Sequence, residues 1–260
     1  MAGQIHFTDG SGYERYMGRW SQLVGHAFLD WLAPPAGSRW LDVGCGSGAF
    51  TEMLVERCAP AAVHGIDPSE AQLAFARRRP AARIAEFHLG DAMSLPFPDD
   101  AFDAAVMPLV IFFVPVPARG VAEMARVVRS GGIVSAYAWD LPGGGLPYDA
   151  LVMELRARGV DVPEAPNPDA SRIDALHDLW RGAGLVDIRT REITVRRTFE
   201  SFADYWETVQ LGASVGPPIA ALPTTARANL EARMRAILPV DADGRITYGA
   251  RANAVAGRVS

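Results

Sequence analysis

Leu41-Asp42-Val43-Gly44-Cys45-Gly46-Ser47-Gly48-Ala49 decides the fold. A short apolar strand, Trp40 to Val43, runs into three alternate glycines and then into a helix from Ala49 to Arg57. Glycine lets the backbone approach a ligand where a Cβ would intrude. The helix start that follows offers unpaired N–H groups. Such a turn, at the carboxyl end of a strand, is where nucleotide-like molecules sit in open α/β sheets.

Working outward, the chain alternates strand and helix signals. Strands are predicted at Val63 to Ile66, Ile84 to Leu89, Ala104 to Met107, Ile133 to Trp139, Val186 to Val195 and Ile246 to Ala256. Helices are predicted at Glu70 to Arg79, Ala118 to Arg129, Asp149 to Arg158, Arg172 to Ala183, Phe199 to Leu211 and Ala226 to Leu238. A helix with apolar Leu23, Val24, Ala27, Phe28, Trp31 and Leu32 precedes the core, and Gly216-Pro217-Pro218 reads as a break. The alternation predicts an α/β fold with a parallel sheet and helices on both faces.

The chain has 260 residues, 49% hydrophobic and 21% charged, with a formal charge of −5. All 25 basic residues are Arg, which excludes Schiff-base chemistry and a phosphate-binding lysine. An acidic chain of this kind is a poor nucleic-acid binder. Its basic run, Arg77-Arg78-Arg79, reads as a helix end complementing the dipole. Cys45 and Cys58, without metal spacing, point to a reducing compartment. Met1 to Gly10 lacks an apolar signal core, and Ala104 to Val116 is too short to span a bilayer and contains Pro108 and Pro115. A soluble cytoplasmic protein with no membrane partner is expected. No H-E-x-x-H or C-x-x-C spacing occurs, so no metal is predicted.

The glycine loop alone leaves two ligands open. Gly44-x-Gly46-x-x-Ala49 also fits the dinucleotide fingerprint, and Asp67 lies roughly 20 residues on, as a ribose-binding carboxylate would. An NAD-dependent oxidoreductase is therefore the rival reading. Three features weigh against it. Asp42 sits in the strand where dinucleotide sites carry an apolar residue, and a near-buried carboxylate must find donors. The third strand ends in Gly90-Asp91-Ala92-Met93, whose carboxylate can accept from an adenine amino group while Met93 packs on the ring. Arg126-Val127-Val128-Arg129-Ser130-Gly131-Gly132 precedes the fifth strand.

Together with Gly65-Ile66-Asp67-Pro68-Ser69, these motifs resemble the class I S-adenosylmethionine-dependent methyltransferases, in the group of the ubiquinone and menaquinone biosynthesis enzymes, from about Gly37 to Asp140. Tyr16 to Ser21 and Tyr137 to Asp140 are similar to a bacterial subgroup. The resemblance implies a doubly wound, Rossmann-like, mostly parallel seven-stranded sheet with an antiparallel last strand. It implies a single domain: an N-terminal cap at 1–36, a cofactor core at 37–140, and substrate-side insertions at 141–170 and 198–240.

It also implies roles. Asp42, Gly44, Cys45, Gly46 and Gly48 would line the methionine part of the cofactor. Asp67, with Pro68 beside it, would take both ribose hydroxyls. Asp91 would take the adenine N6 and the Ala92 N–H a ring nitrogen, with Met93 and Gln72 against the ring; Gln72 stands where an apolar residue is usual. The Met107 carbonyl would meet the ammonium and Arg19 the carboxylate, although a surface salt bridge accounts for Arg19 equally well. Cys45 reads as a small residue between glycines rather than a nucleophile.

Direct displacement of the methyl needs mainly alignment and enclosure. No catalytic residue is assigned. Phe112 and Phe113 stand where some relatives carry His, and Tyr137 and Asp140 are weak candidates for a base. Of the histidines, His6 and His26 alone are placed to approach the active face, and neither is given a role. A small, partly apolar acceptor would contact Tyr16, Trp20, Phe112, Trp139, Asp140, Tyr148, Tyr205 and Trp206, with Tyr13 helping to cap the site; core packing accounts for each aromatic at least as well. A non-catalytic member that keeps the cofactor fold is the third reading.

Overall fold

The computed structural model describes residues 14–260. Tyr13 and His6 lie outside the described residues. Seven strands form one sheet in the order β3-β2-β1-β4-β5-β7-β6. They are β1 (Arg39–Val43), β2 (Ala62–Asp67), β3 (Ala85–Leu89), β4 (Phe102–Pro108), β5 (Val128–Trp139), β6 (Val186–Phe199) and β7 (Ile246–Arg258). Pairs β1–β2, β1–β4, β2–β3 and β4–β5 are parallel, and β7 runs antiparallel to β5. The expected fold class is what the chain adopts.

Nine α-helices occur among the described residues: α1 (Arg19–Leu32), α2 (Ala49–Cys58), α3 (Glu70–Ala76), α4 (Pro117–Val127), α5 (Asp149–Ala157), α6 (Ile173–Gly182), α7 (Phe202–Gln210), α8 (Gly216–Ala221) and α9 (Thr224–Ile237). None is long and apolar enough to cross a membrane.

The chain divides into two compact units. The sheet unit comprises Val24–Gly143, Ala165–Ile193 and Ala252–Ser260. Its core is the apolar middle of β1, β4 and β5, with Leu41, Val106, Val134 and Ala136 fully buried. Such near-continuous apolar strands are expected where helices cover both faces. Phe28 of α1 packs on Tyr137 of β5 (centroids 4.6 Å apart) and on Phe50 of α2 (6.2 Å). The Trp180 indole of α6 donates to the Val134 carbonyl at 2.9 Å.

The second unit comprises described residues 14–23, Gly144–Glu164 and Thr194–Arg251. Its centre is a buried cation. The Arg197 guanidinium donates to the carbonyls of Tyr16 (3.1 Å) and Arg15 (3.0 Å) and to the Tyr148 hydroxyl (3.3 Å). It lies 4.2 Å over the Phe199 ring. Tyr16 stacks on Tyr148 at 4.3 Å, and the Trp20 indole donates to the Tyr148 hydroxyl.

Three local expectations are corrected. The helix expected through Arg129 ends at Val127, and β5 begins at Val128. Val128 is buried and pairs with Phe102, while the Arg129 side chain reaches Asp103 at 2.6 Å. A basic end that looks helical is thus taken by the sheet. Gly216-Pro217-Pro218 opens α8 rather than breaking the chain, as proline in a first turn permits. Leu23 is 38% exposed; the buried row of α1 is Trp20, Val24, Phe28 and Leu32, spaced four apart.

Candidate active site

In this sheet the strand order reverses between β1 and β4, the place where open α/β sheets bind ligands. β1 pairs with β4 only as far as Asp42 opposite Val106. β4 runs on to Pro108, paired with β5 alone. The glycine loop starts where β1 leaves, so backbone past Val106 faces no strand on that side. Met107, whose carbonyl the resemblance assigns to the ammonium, is the next residue and is fully buried.

The loop is held open by left-handed backbone. Gly44 has φ +74°, Gly46 +52° and Gly48 +78°, a region that costs other residues about 1–2 kcal/mol. Gly44 also touches the loop after β4: a Cβ there would lie 2.5 and 2.6 Å from the Val110 methyls. Leu109 sets that contact up, turning at φ +60° while its N–H bonds Tyr137 O at 2.7 Å. At Gly46 a Cβ would meet nothing within 4 Å. Arg79 reaches back from beyond α3, its Nε donating to Ser47 O (2.7 Å) and its Nη1 to Glu52 (2.7 Å).

Two carboxylates frame the loop. Asp67, at the end of β2, accepts from the Gly46 N–H (2.9 Å) through Oδ2 and from the Ser69 N–H (2.9 Å) through Oδ1. Each oxygen keeps a second lone pair. Burial nonetheless raises the Asp67 carboxyl above the ordinary carboxylate range. Asp42, fully buried, accepts from the Thr51 hydroxyl at 2.6 Å through Oδ2, and its Oδ1 has no hydrogen-bond partner. Burial pushes its carboxyl up to about 7. A buried carboxylate oxygen without a donor is costly and is the mark of a missing donor.

The remaining cofactor-side residues, Arg19 apart, belong to the sheet unit. Asp91 accepts from the Met93 N–H at 2.8 Å, a turn that leaves its second oxygen open. Ala92 and Met107 both approach Gly120 of α4. Pro68 is exposed, and Gln72 donates its N–H to the Ser69 hydroxyl in the first turn of α3. The Cys45 thiol is buried, 2.9 Å from where a Gly65 Cβ would stand, and burial drives its pKa well up. Arg19 is exposed in the second unit and forms no ion pair among the described residues, so the surface salt bridge offered for it is not found.

The acceptor-side set is distributed. Tyr16, Trp20, Tyr148, Tyr205 and Trp206 are buried in the second unit, packed on one another or on Phe199 and Phe202. Phe112, Trp139 and Asp140 are buried in the sheet unit; Asp140 accepts from the Gly143 N–H at 3.1 Å. His26 faces Arg57 at 3.2 Å. Thr51, Val110 and Arg79 were not legible as site residues: their parts depend on contacts with distant chain. Nor was the meeting of His64, Glu86 and His88 across β2 and β3, since the absence of metal spacing in the sequence speaks only of local motifs.

The residues fit a ligand that brings donors. The orphaned Asp42 oxygen suits an ammonium, Asp67 a pair of hydroxyls, and the open space at Gly46 a close-lying chain. Together, fold and loop define a class I adenosyl-cofactor site at a sheet switch point.

The comparisons agree. A methyltransferase-domain family matches residues 41–136. A demethylmenaquinone methyltransferase of Roseiflexus castenholzii is 31% identical over 172 residues, 61% of this chain and 72% of that protein. The ubiquinone/menaquinone biosynthesis C-methyltransferase of Dinoroseobacter shibae is 36% identical over 125 residues, 46% of this chain; the chain spans about half that relative's length (50%). A phosphoethanolamine N-methyltransferase of Haemonchus contortus, solved with phosphomonomethylethanolamine and S-adenosylhomocysteine, superposes with a TM-score of 0.59 at 19% identity, over 95% of this chain and 56% of that one. The chain belongs to the class I S-adenosylmethionine-dependent methyltransferases, in the group of the ubiquinone and demethylmenaquinone enzymes.

Proposed function

We propose that the protein transfers a methyl group from S-adenosylmethionine to a small, partly apolar acceptor. The observation that carries this is the pairing of Asp67, with both oxygens half-satisfied, and Asp42, with one oxygen orphaned, on either side of a glycine loop. The cofactor supplies an already activated methyl group. The protein's part is to bind, align and exclude water, and that can account for about 7–11 kcal/mol in favourable models. Asp67 orients the ribose; Asp91, Ala92 and Met93 hold the adenine; the loop from Gly44 to Gly48 receives the methionine chain. The core at 37–140 holds the cofactor, and 1–36, 141–170 and 198–240 serve the acceptor. A cytoplasmic location in a bacterium is part of this reading, supported by two free cysteines and by the bacterial relatives.

The test is calorimetric titration with S-adenosylmethionine, S-adenosylhomocysteine and NAD, then turnover on a panel of hydroquinone ring carbons and ethanolamine-type amines. Saturable binding of the adenosyl ligands but not NAD, with turnover of one acceptor class, is expected. NAD binding alone sinks the proposal.

Asp42 adds a pH signature. Its carboxyl, raised to about 7, is largely protonated below that pH. A bound ammonium favours the ionised form and draws the pKa down, so binding releases a proton. At pH 7 calorimetry in buffers of different ionisation enthalpy should show release of about half a proton. The release should fade by pH 9 and vanish in Asp42→Asn. Net proton uptake at pH 7 would contradict the ammonium assignment.

Arg19→Ala is expected to weaken S-adenosylhomocysteine binding by about 10-fold, the worth of one charged hydrogen-bonded pair. Unchanged affinity with intact circular dichroism refutes the role.

A further inference from the structure

We propose that His64, Glu86 and His88 form a binding site for a divalent transition metal, zinc in the first instance, that clamps the edge strand β3 to β2. The site is independent of the glycine loop and of the reading above.

The parallel register of β2 and β3 sets His64 opposite Glu86 and Ile66 opposite His88. Glu86 and His88 are alternate residues of one strand and share a face. His64 Nδ1 lies 3.0 Å from His88 Nε2, and Glu86 Oε2 lies 3.9 Å from each. A point equidistant from the three atoms is about 2.1 Å from each, within the zinc–imidazole and zinc–carboxylate bond lengths of about 2.0–2.2 Å. That point lies in the plane of the three donors; rotation of the exposed Glu86 side chain lifts the ion out of it and leaves a fourth position for water.

The two imidazoles are oriented in advance. Their rings lie 5.2 Å apart and nearly parallel, at 17°. The Phe97 ring stands edge-on to both, at 5.8 Å from His64 and 5.2 Å from His88, and Phe102 edge-on to His64 at 5.4 Å. The side chains of His64 and His88 are 27% and 32% exposed and that of Glu86 73%, so an ion can enter from solvent. Among the described residues neither imidazole bonds a cationic side chain; Arg77, whose charge acts on His88, is engaged with Glu70 and the Phe87 carbonyl. Two imidazoles and one carboxylate favour zinc, cobalt, nickel or copper over magnesium or calcium, which prefer oxygen. Without an ion, the same contacts are a hydrogen-bonded histidine pair.

The experiment strips the full chain with a chelator and titrates it with zinc chloride and with cobalt chloride. One zinc per chain is expected, with a tetrahedral cobalt absorption band and slower hydrogen exchange at the β3 amides. Glu86→Gln, His64→Asn and His88→Asn should each weaken zinc uptake by about 10-fold or more. Glu86→Gln, at an exposed side chain, reports even where a histidine variant folds poorly. No saturable uptake, or uptake equal in wild type and Glu86→Gln, would overturn the site.

Discussion

Replacing Asp67 with alanine is expected to weaken S-adenosylhomocysteine binding by about 100-fold or more, since charge-assisted hydrogen bonds are worth roughly 1.5–3 kcal/mol each. The carboxylate has two jobs. It fastens the Gly46 N–H to the end of β2 and receives the Ser69 N–H, so the loop's shape depends on it. In the proposed reading its remaining lone pairs take the ribose hydroxyls. Asp67→Asn separates the two: its amide oxygen can keep the Gly46 bond, but its NH₂ meets the Ser69 donor. Its affinity should fall between wild type and alanine. Titration calorimetry measures the loss, and thermal unfolding followed by circular dichroism shows whether the fold survives. A folded Asp67→Ala protein that binds normally would remove Asp67 from the site.

Gly44→Ala should be the most damaging single methyl group in the loop. The new Cβ would lie 2.5 Å from a Val110 methyl, on backbone at φ +74°. Left-handed strain of about 1–2 kcal/mol adds to overpacking of about 1–3 kcal/mol. A melting temperature lower by roughly 4–20 °C follows for a chain of this size. Val110→Ala in the same chain should recover the overpacking share and leave the strain. Gly46→Ala makes the contrast. There a Cβ meets no atom within 4 Å, so the stability cost is the backbone strain alone, while the methyl projects into open space. We expect Gly46→Ala to lose cofactor affinity out of proportion to its stability. Equal effects of the two substitutions on stability would show that the Val110 contact does not constrain the loop.

The sequence was most legible where one stretch of chain carries the whole signal. The turn from β1 into α2 is local: its glycines, its aspartate and its helix start are neighbours in the chain. The strands β1 to β5 were legible for the same reason, each containing a compact apolar run, whereas β6 is rich in charge and alternates only over its second half. Legibility failed where a residue's partner is remote. Arg126 to Gly132 has the composition of a helix end, yet pairing of Val128 with Phe102 draws it into the sheet. Arg79 reads as the last cation of a helix; only the folded chain brings it to Ser47. Val110 reads as an anonymous apolar residue until Leu109 turns it onto Gly44. His64 and His88 are 24 residues apart and meet through strand register alone. Tyr16, Trp20 and Tyr205 meet through Tyr148, contacts that the spacing of aromatic residues in the chain does not announce.

That buried arginine also limits how the protein can be shortened. Its Nη1 and Nη2 donate to the carbonyls of Tyr16 and Arg15 and to the Tyr148 hydroxyl, which itself donates to Tyr16 O at 2.7 Å, while its buried Nε finds no partner. Trimming the chain to the start of α1 would remove both backbone acceptors, leaving the Tyr148 hydroxyl alone for a cation that cannot lose its proton. Losing these hydrogen bonds to a buried cation costs about 1.5–3 kcal/mol each, a large share of what holds a domain folded. The few residues ahead of the first long helix are therefore a tenon in the second unit, and any excised version of it must begin upstream of Arg15.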